Sequence, residues 1–277
     1  MRIKNILKEI FYKVKGQEHK FVSKQLSGFH LKVIPGTIRG KVDQDDAWWF
    51  YLAKHHDVIF DIGCNIGYTA LLALIQNPDK RIVLVDPNPK ALGIAALNII
   101  ENGLGHQAQY FSAFVGNKLD DEVKFYTVGS GAAGSMHPTH AQTASSMNSF
   151  INVKTVTLDY LYRYYDVKPD LVKIDVEGAE TLVMEAAINL AKETQCSFFI
   201  EMHDIVDLGM EASGQMMIDW CKEQEYKAWY LKTGEELTNA ETIKTRGKCH
   251  LLLMPKEKLY PDYLKGVVQN ATLPETI

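Results

Sequence analysis

The chain has 277 residues, of which 46% are hydrophobic and 23% charged, enough to build one large α/β domain with an extension. Its formal net charge of −4 argues against a general nucleic-acid binder, which carries a strongly basic face. The four cysteines (Cys64, Cys196, Cys221 and Cys249) form no Cys-x-x-Cys pair, so neither a zinc site nor a redox dithiol is expected. Cys196 and Cys249 lie in apolar runs and read as buried thiols. The expected compartment is the reducing cytoplasm, since no apolar run reaches the ~18 residues of a membrane span and charges interrupt every candidate leader.

In chain order, residues 1–20 predict a basic amphipathic helix, with Ile3, Ile6, Leu7, Ile10, Phe11 and Val14 at helical spacing among six basic residues. Its apolar face would dock on the domain or on a second subunit, or rest on an anionic membrane surface. Phe29 to Arg39 predicts a strand or hairpin, and Asp45 to His55 a helix with Trp48, Trp49 and Leu52 on its apolar face. Residues 1–56 thus form an extension, and 57–277 the main domain. There the pattern becomes regular. Strands are expected at Val58–Asp61, Arg81–Asp86, Gln107–Ala113, Glu122–Val128, Val153–Leu158, Leu171–Asp175, Ser197–His203, Tyr226–Leu231 and Cys249–Met254. Helices are expected at Tyr68–Gln76, Pro89–Asn102 (capped by Asn88), Ala179–Lys192 and Met210–Gln224. Gly129 to Asn148 has no periodicity and predicts a long loop, a candidate lid. Strands alternating with helices imply a doubly wound, mostly parallel sheet, and the last two strands an antiparallel pair at one edge.

The turn Asp61-Ile62-Gly63-Cys64-Asn65-Ile66-Gly67 between strand and helix is a nucleotide-binding arrangement. Its glycines let the backbone approach a ligand, and the helix N-terminus offers free N–H groups. The spacing is G-x-x-x-G rather than the G-x-G-x-x-G of pyrophosphate sites. Asp61 would repel a pyrophosphate, but it suits a cofactor bearing an ammonium and a sulfonium, bound directly or through water. This favours S-adenosylmethionine over NAD. Asp86 ends the next strand, roughly 20 residues onward, where nucleotide folds place the acid that binds ribose hydroxyls. The candidate cofactor residues are Asp61, Gly63, Asn65, Gly67, Asp86, Pro87, Asn88, Ser112 and Ala113. Phe114 follows as a core residue that could also pack on adenine.

Two further strands end in ionisable groups. Asp175 should stand in the crevice beside the cofactor, with Lys173 paired to a neighbouring carboxylate. Glu177 and Glu180 open the next helix, where carboxylates suit the helix dipole, so Glu180 reads as structural as readily as functional. Glu201 and His203, two apart on a strand, face the same way. The candidate catalytic residues are His203, Asp175 and Glu201. His203 is the first choice as general base, with its pKa lowered by the sulfonium; Asp175 is the second, and Glu201 would hold His203 or a substrate hydroxyl. No metal is assigned: His137 and His140 read as a solvated loop, although Asp175, Glu201 and His203 together have the chemistry of a divalent-ion site.

The runs Asp61 to Thr69, Asp86-Pro87-Asn88-Pro89, Thr157-Leu158-Asp159, Lys173 to Glu180 and Glu201-Met202-His203 together resemble the FkbM family of methyltransferases. The resemblance covers Val58 to His203. It implies a class I methyltransferase (Rossmann-like) fold with a seven-stranded sheet, and transfer of the methyl group of S-adenosylmethionine. In that family the acceptors are hydroxyl oxygens of sugars and polyketides, so the expected acceptor is a hydroxyl on a glycan or small molecule. Two positions depart from the family: Cys64 replaces a small residue such as Ala, and Asp86 stands where many members have Glu. Methylation of nitrogen on nucleic acid or protein is the alternative, opposed by the absence of a Pro-Pro-Tyr-type strand end and by the low positive charge. A non-catalytic module that keeps the fold for binding is the third.

Overall fold

The computed structural model describes residues 20–41, 43, 45–128, 134–205 and 207–275. The expected helix over 1–20 lies outside them apart from Lys20, as do residues 129–133 of the expected loop. Strands β1 (Val22–Leu26) and β2 (Phe29–Val33) form an antiparallel hairpin that turns at Ser27 and Gly28. Helix α1 (Asp46–Lys54) follows and buries both tryptophans: Trp49 donates to the Thr69 carbonyl at 2.9 Å and Trp48 to that of Val267 at 3.0 Å.

The main sheet then builds outward from its centre: β3 (Val58–Ile62), α2 (Tyr68–Leu74), β4 (Arg81–Val85), α3 (Pro89–Glu101) and β5 (Ala108–Phe111). A three-stranded sheet is inserted next, from β6 (Phe114–Val115), β7 (Glu122–Tyr126) and β8 (Phe150–Val156), with β8 in the middle. The described residues 134–149 between β7 and β8 are more ordered than their composition suggests: Ser135 bridges to Tyr126, and α4 (Gln142–Ser146) forms a short helix. After α5 (Leu158–Tyr165) the chain returns to the centre as β9 (Leu171–Ile174). It winds the other way through α6 (Glu180–Glu185), α7 (Ile188–Thr194), β10 (Ser197–His203), α8 (Met210–Gln224), β11 (Tyr226–Tyr230), β12 (Glu235–Glu236) and β13 (Lys248–Pro255).

The strand order is β12-β11-β13-β10-β9-β3-β4-β5, with β13 antiparallel to both neighbours and β10 to β5 mutually parallel. This is the expected doubly wound, Rossmann-like sheet, with the two-residue β12 as an addition to seven strands. β11 and β13 form the expected antiparallel pair at one end of the sheet, with β13 next to β10 because the chain folds back between β11 and β10. Side chains of one strand alternate between two cores. Ile59 packs with Trp49, Leu71 and Leu92 on one face, and Phe60 with Leu161, Val183 and Met217 on the other. All four cysteines are buried.

Two elements differ from expectation for one reason. The strand expected to reach Leu158 ends at Val156, because Thr157 caps α5 by accepting the Tyr160 N–H at 3.1 Å. The single helix expected over 179–192 is broken at Ala186 and Ala187. Asp159, in the first turn of α5, accepts the N–H groups of Asn189 (3.1 Å) and Leu190 (2.8 Å), so its carboxylate caps α7 from a distant part of the chain. The Thr157-Leu158-Asp159 motif is therefore a pair of helix caps. Asp159→Ala should cost about 1–2 kcal/mol of stability in urea unfolding; an unchanged midpoint would show that the break at Ala186 has another cause.

The turn after β3 is packed from both sides. Gly63 has φ 82°, and a Cβ on it would lie 1.8 Å from the Asp175 carbonyl oxygen. Gly67 has φ 85°, and a Cβ there would lie 2.8 Å from that of Ala95 on α3. Both glycines are required by neighbouring backbone and helix, where the spacing alone suggested room for a ligand. Gly63→Ala should therefore destabilise by about 3 kcal/mol or more. In the same denaturation experiment Gly93→Ala should stabilise by up to about 1 kcal/mol, since Gly93 sits within α3 with open space around it. Equal effects of the two substitutions would contradict the packing argument.

Candidate active site

The winding of the sheet reverses between β3 and β9, and the crevice at their carboxyl ends is where ligands bind in such sheets. A cavity of about 300 Å³ occupies it, lined among others by Gly63, Cys64, Asn65, Asp86, Lys173 and Asp175. The turn is held against β4, with Gly63 and Cys64 donating to the Val85 carbonyl at 2.9 and 3.2 Å. Asn65 takes the left-handed conformation (φ 47°) that asparagine tolerates, and its N–H donates to Asp86 Oδ2 at 2.8 Å. The other Asp86 oxygen accepts the Asn88 N–H at 2.8 Å. Asp86 thus joins the two loops that flank the cavity, and burial pushes its carboxyl up to about 6. Asn88 caps α3 through the N–H groups of Lys90 and Ala91, while Pro87 lines the cavity wall.

Asp61 is fully buried and stands behind the wall. Thr69 Oγ1 donates to its Oδ2 at 2.7 Å, and Lys173 Nζ lies 3.5 Å from its Oδ1. Thr69 and Lys173, not Asp61, line the cavity. Asp61, expected to meet the cofactor ammonium directly or through water, stands one layer behind the cavity, where its carboxylate positions those two side chains. Lys173 is 2% exposed and lies 3.4 Å from Asp175 as well, so it pairs with two carboxylates. Burial opposes its charge, but Asp175 and Asp61 outweigh that and raise its pKa. At the opposite end Ala113 and Phe114 line the cavity beside Phe125. Ser112 is exposed and does not line it, because the strand carrying it ends one residue earlier. Gly67 does not line it either; its place is against Ala95.

Sequence reasoning missed one wall. Gly36, Thr37 and Arg39, in the strap after β2, close the cavity from the side. The strap is located by Asn98 on α3, wholly buried, which accepts the Ile34 N–H and donates to Thr37 Oγ1 (2.8 Å) and the Ile66 carbonyl (3.1 Å). A polar residue on the inner face of α3 was the available signal. The Arg39 guanidinium lies 4.9 Å from the centre of the Tyr68 ring and pairs with Asp43 at 2.6 Å.

The reaction side is a lattice of charges. Asp175 and Glu177 line the cavity and are 24% and 29% exposed; Glu201 and His203 stand behind them, do not line it, and face the same way as expected. His203 Nδ1 donates to Glu180 at 2.8 Å, and its Nε2 lies 3.3 Å from Glu201 and 3.4 Å from Glu177. Burial disfavours the imidazolium, but the hydrogen bonds to Glu180 and Glu201 prevail and raise its pKa to about 11. The expected neutral base depends on a bound sulfonium; in the protein alone the carboxylates around the ring favour its charged form, which donates. Glu201 is held by Lys248 (2.6 Å) and His250 (3.1 Å) across β13, and these partners with His203 keep it ionised despite burial. Burial raises the carboxyls of Asp175 and Glu177, the latter to about 7.

The cavity fits S-adenosylmethionine on its own donor set. Asn65 Oδ1 is buried without a hydrogen-bond partner among the described residues, an acceptor suited to an ammonium or a hydroxyl. Asp86 presents a carboxylate at the next strand end, and Ala113, Phe114 and Phe125 supply an apolar slot for a flat ring.

Among solved structures, cofactor-bound Rv0187 from MTB is similar at 16% identity over 80% of this chain and 84% of its own, with a TM-score of 0.47. The methyltransferase FkbM from Methylobacillus flagellatus KT is similar at 13% identity and a TM-score of 0.44; the match covers 84% of this chain and 48% of that one, about half its length. The O-methyltransferase from Bacillus cereus in complex with SAH is similar at 14% identity over 90% and 88% of the two chains, with a TM-score of 0.42. No curated protein sequence matches the chain. The sequence profile of the methyltransferase FkbM domain matches residues 61–228, from the acid at the head of the glycine turn through β10 and into β11. That span is more than half of the chain and carries the turn, Asp86 and the whole charged wall: the chain belongs to the FkbM family of methyltransferases.

Proposed function

We propose that the protein transfers the methyl group of S-adenosylmethionine to a hydroxyl oxygen of a sugar, glycan or small natural product. The observation that carries this reading is the pair of partly exposed carboxylates, Asp175 and Glu177, on the wall of the cavity that also holds Asp86 and Asn65. A hydroxyl acceptor gains from a positioned base, and carboxylates at the mouth provide one. When bound, the cofactor supplies an electrophilic methyl group on a positively charged sulfur. Asp86 would accept hydrogen bonds from the ribose hydroxyls, and Asn65 Oδ1 one from the ammonium. Asp175 would hold the acceptor hydroxyl in line with the methyl carbon and take its proton. The His203 imidazolium, braced by Glu180, would keep Glu177 in place beside it and Glu201 behind it.

Asp86→Ala should weaken S-adenosylmethionine binding by about 10- to 100-fold in calorimetry, the loss of hydrogen bonds to a charged group. The wild-type protein has a pH signature with a definite sign. Burial raises the folded pKa of Asp86 from the ordinary 3.8 to about 6, so the fold favours its neutral form and stability is lost as the pH rises from the ordinary value through about 6. Binding of the ribose uses the ionised form. Affinity should therefore fall as the pH drops through 6, and affinity that is flat from pH 8 to pH 5 would remove Asp86 from the ribose site. Asp175→Asn should lower kcat by about 10²- to 10⁴-fold on a hydroxylated acceptor while cofactor affinity changes only a few-fold. Normal turnover in that variant would show that Asp175 is not the base, and cofactor binding without turnover on any hydroxylated acceptor would favour a non-catalytic module.

A further inference from the structure

We propose that Asp175, Glu177 and His203 form a binding site for a divalent first-row metal ion at the edge of the cavity. Each offers one ligand atom, and the three atoms lie within 4.8 Å of one another. Two carboxylate oxygens with one imidazole nitrogen suit Mn²⁺, Fe²⁺ or Zn²⁺. The histidine is oriented as a metal ligand usually is: Nδ1–H donates to a carboxylate outside the site, leaving Nε2 turned inward. Glu180 provides that carboxylate at 2.8 Å, is 1% exposed, and is itself fixed by the Gly178 N–H at 2.9 Å.

The spacing inside the trio supports an ion more than a hydrogen bond. Nε2 lies 3.4 Å from Glu177 Oε2, beyond the roughly 2.7–2.9 Å of a charge-assisted N–H···O contact. It is close to the ~3 Å that separates adjacent ligands of an ion with ~2.1 Å bonds. Glu177 is held at φ 52° and Gly178 at φ 101°, a left-handed pair that turns the chain sharply between Asp175 and Glu180. Two more imidazoles stand close: the His140 ring centre is 6.0 Å from that of His203, and a Cβ on Gly178 would lie 3.1 Å from the His137 ring. Asp175 and Glu177 are open enough for an ion to enter. Among the described residues a second carboxylate–imidazole group, Asp45, Glu201 and His250, is closed from solvent, and its Glu201 is already held by Lys248 at 2.6 Å. Glu177 thus takes the place that sequence reasoning considered for Glu201.

Binding would exchange the ion for the proton on Nε2. The ion would then stand where an acceptor hydroxyl enters and lower the pKa of that hydroxyl. This last consequence rests on the proposed transfer, whereas the ion site itself does not. The test is calorimetric titration of the full chain with Mn²⁺ and Zn²⁺, with the Mn²⁺ result repeated by the loss of the free-ion electron paramagnetic resonance signal. The expected result is one ion per chain, bound at least 10-fold more weakly by Glu177→Gln and not detectably by His203→Ala. Glu177→Gln keeps the side-chain size at a partly exposed position, so it should remain folded, as circular dichroism would show. Absence of binding of either ion by the wild-type chain, or equal binding by wild type and Glu177→Gln, overturns the proposal. S-adenosylmethionine binding in the same preparations keeps the two readings apart: a chain that binds the cofactor but no ion loses only the ion site.

Discussion

The site depends on one close approach. β3 and β9 are parallel neighbours at the centre of the sheet, and the chain leaves each at the same level. The turn after β3 and the backbone of Asp175 after β9 therefore occupy adjoining space. Asp175 N–H donates to the Ile62 carbonyl at 3.0 Å, and its own carbonyl sits where a Cβ of residue 63 would be. Only glycine fits. The contact joins the glycine turn to the charged wall, so the distance between Asp86 on one side and Asp175 on the other is set by backbone packing rather than by flexible side chains. Such rigid placement is what an in-line transfer needs.

Around that contact the protein buries charge in pairs. An isolated buried ammonium or carboxylate is very costly, and such groups persist when their partners are in place. Lys173, 2% exposed, lies between Asp61 and Asp175; Glu201 lies between Lys248, His250 and His203; His203 lies against Glu180. The strands supply these pairs by register, since Glu201 is directly opposite His250 and His203 opposite Lys248 in the β10–β13 ladder. The buried layer is largely self-satisfied. The carboxylates with exposed surface, Asp175 and Glu177, are the ones that meet the cavity. This division explains why the most charged strand ends of the chain are not all alike in role.

The motifs that carry the family resemblance divide in the same way. Asp86 and Asn65 line the cavity, while Asp61 acts through Thr69 and Lys173, and Asp159, which does not line it, caps α7. Gly67 belongs to the packing of α3 as much as to any ligand. A motif residue near a cofactor is thus not automatically a contact.

Much was legible in the chain alone. The alternation of apolar runs and helical periods marked most strands and helices of the main sheet, because burial on both faces of a parallel sheet leaves short continuous apolar runs between amphipathic helices. The glycine spacing with Asp61 and Asp86 marked the turn that the fold places beside the cavity, because a tight strand-to-helix turn is written in its local sequence. Tertiary structure alone decided the rest. Asp159 breaks a helix that starts 21 residues later, and Asn98 brings the strap of Thr37 and Arg39 over the cavity; neither partner can be read from its own neighbourhood. The same holds for His203. Its residue type and strand position were visible, but whether it accepts or donates a proton depends on how many carboxylates the fold assembles around it, and electrostatic energy is set by distances in space, not by separation along the chain.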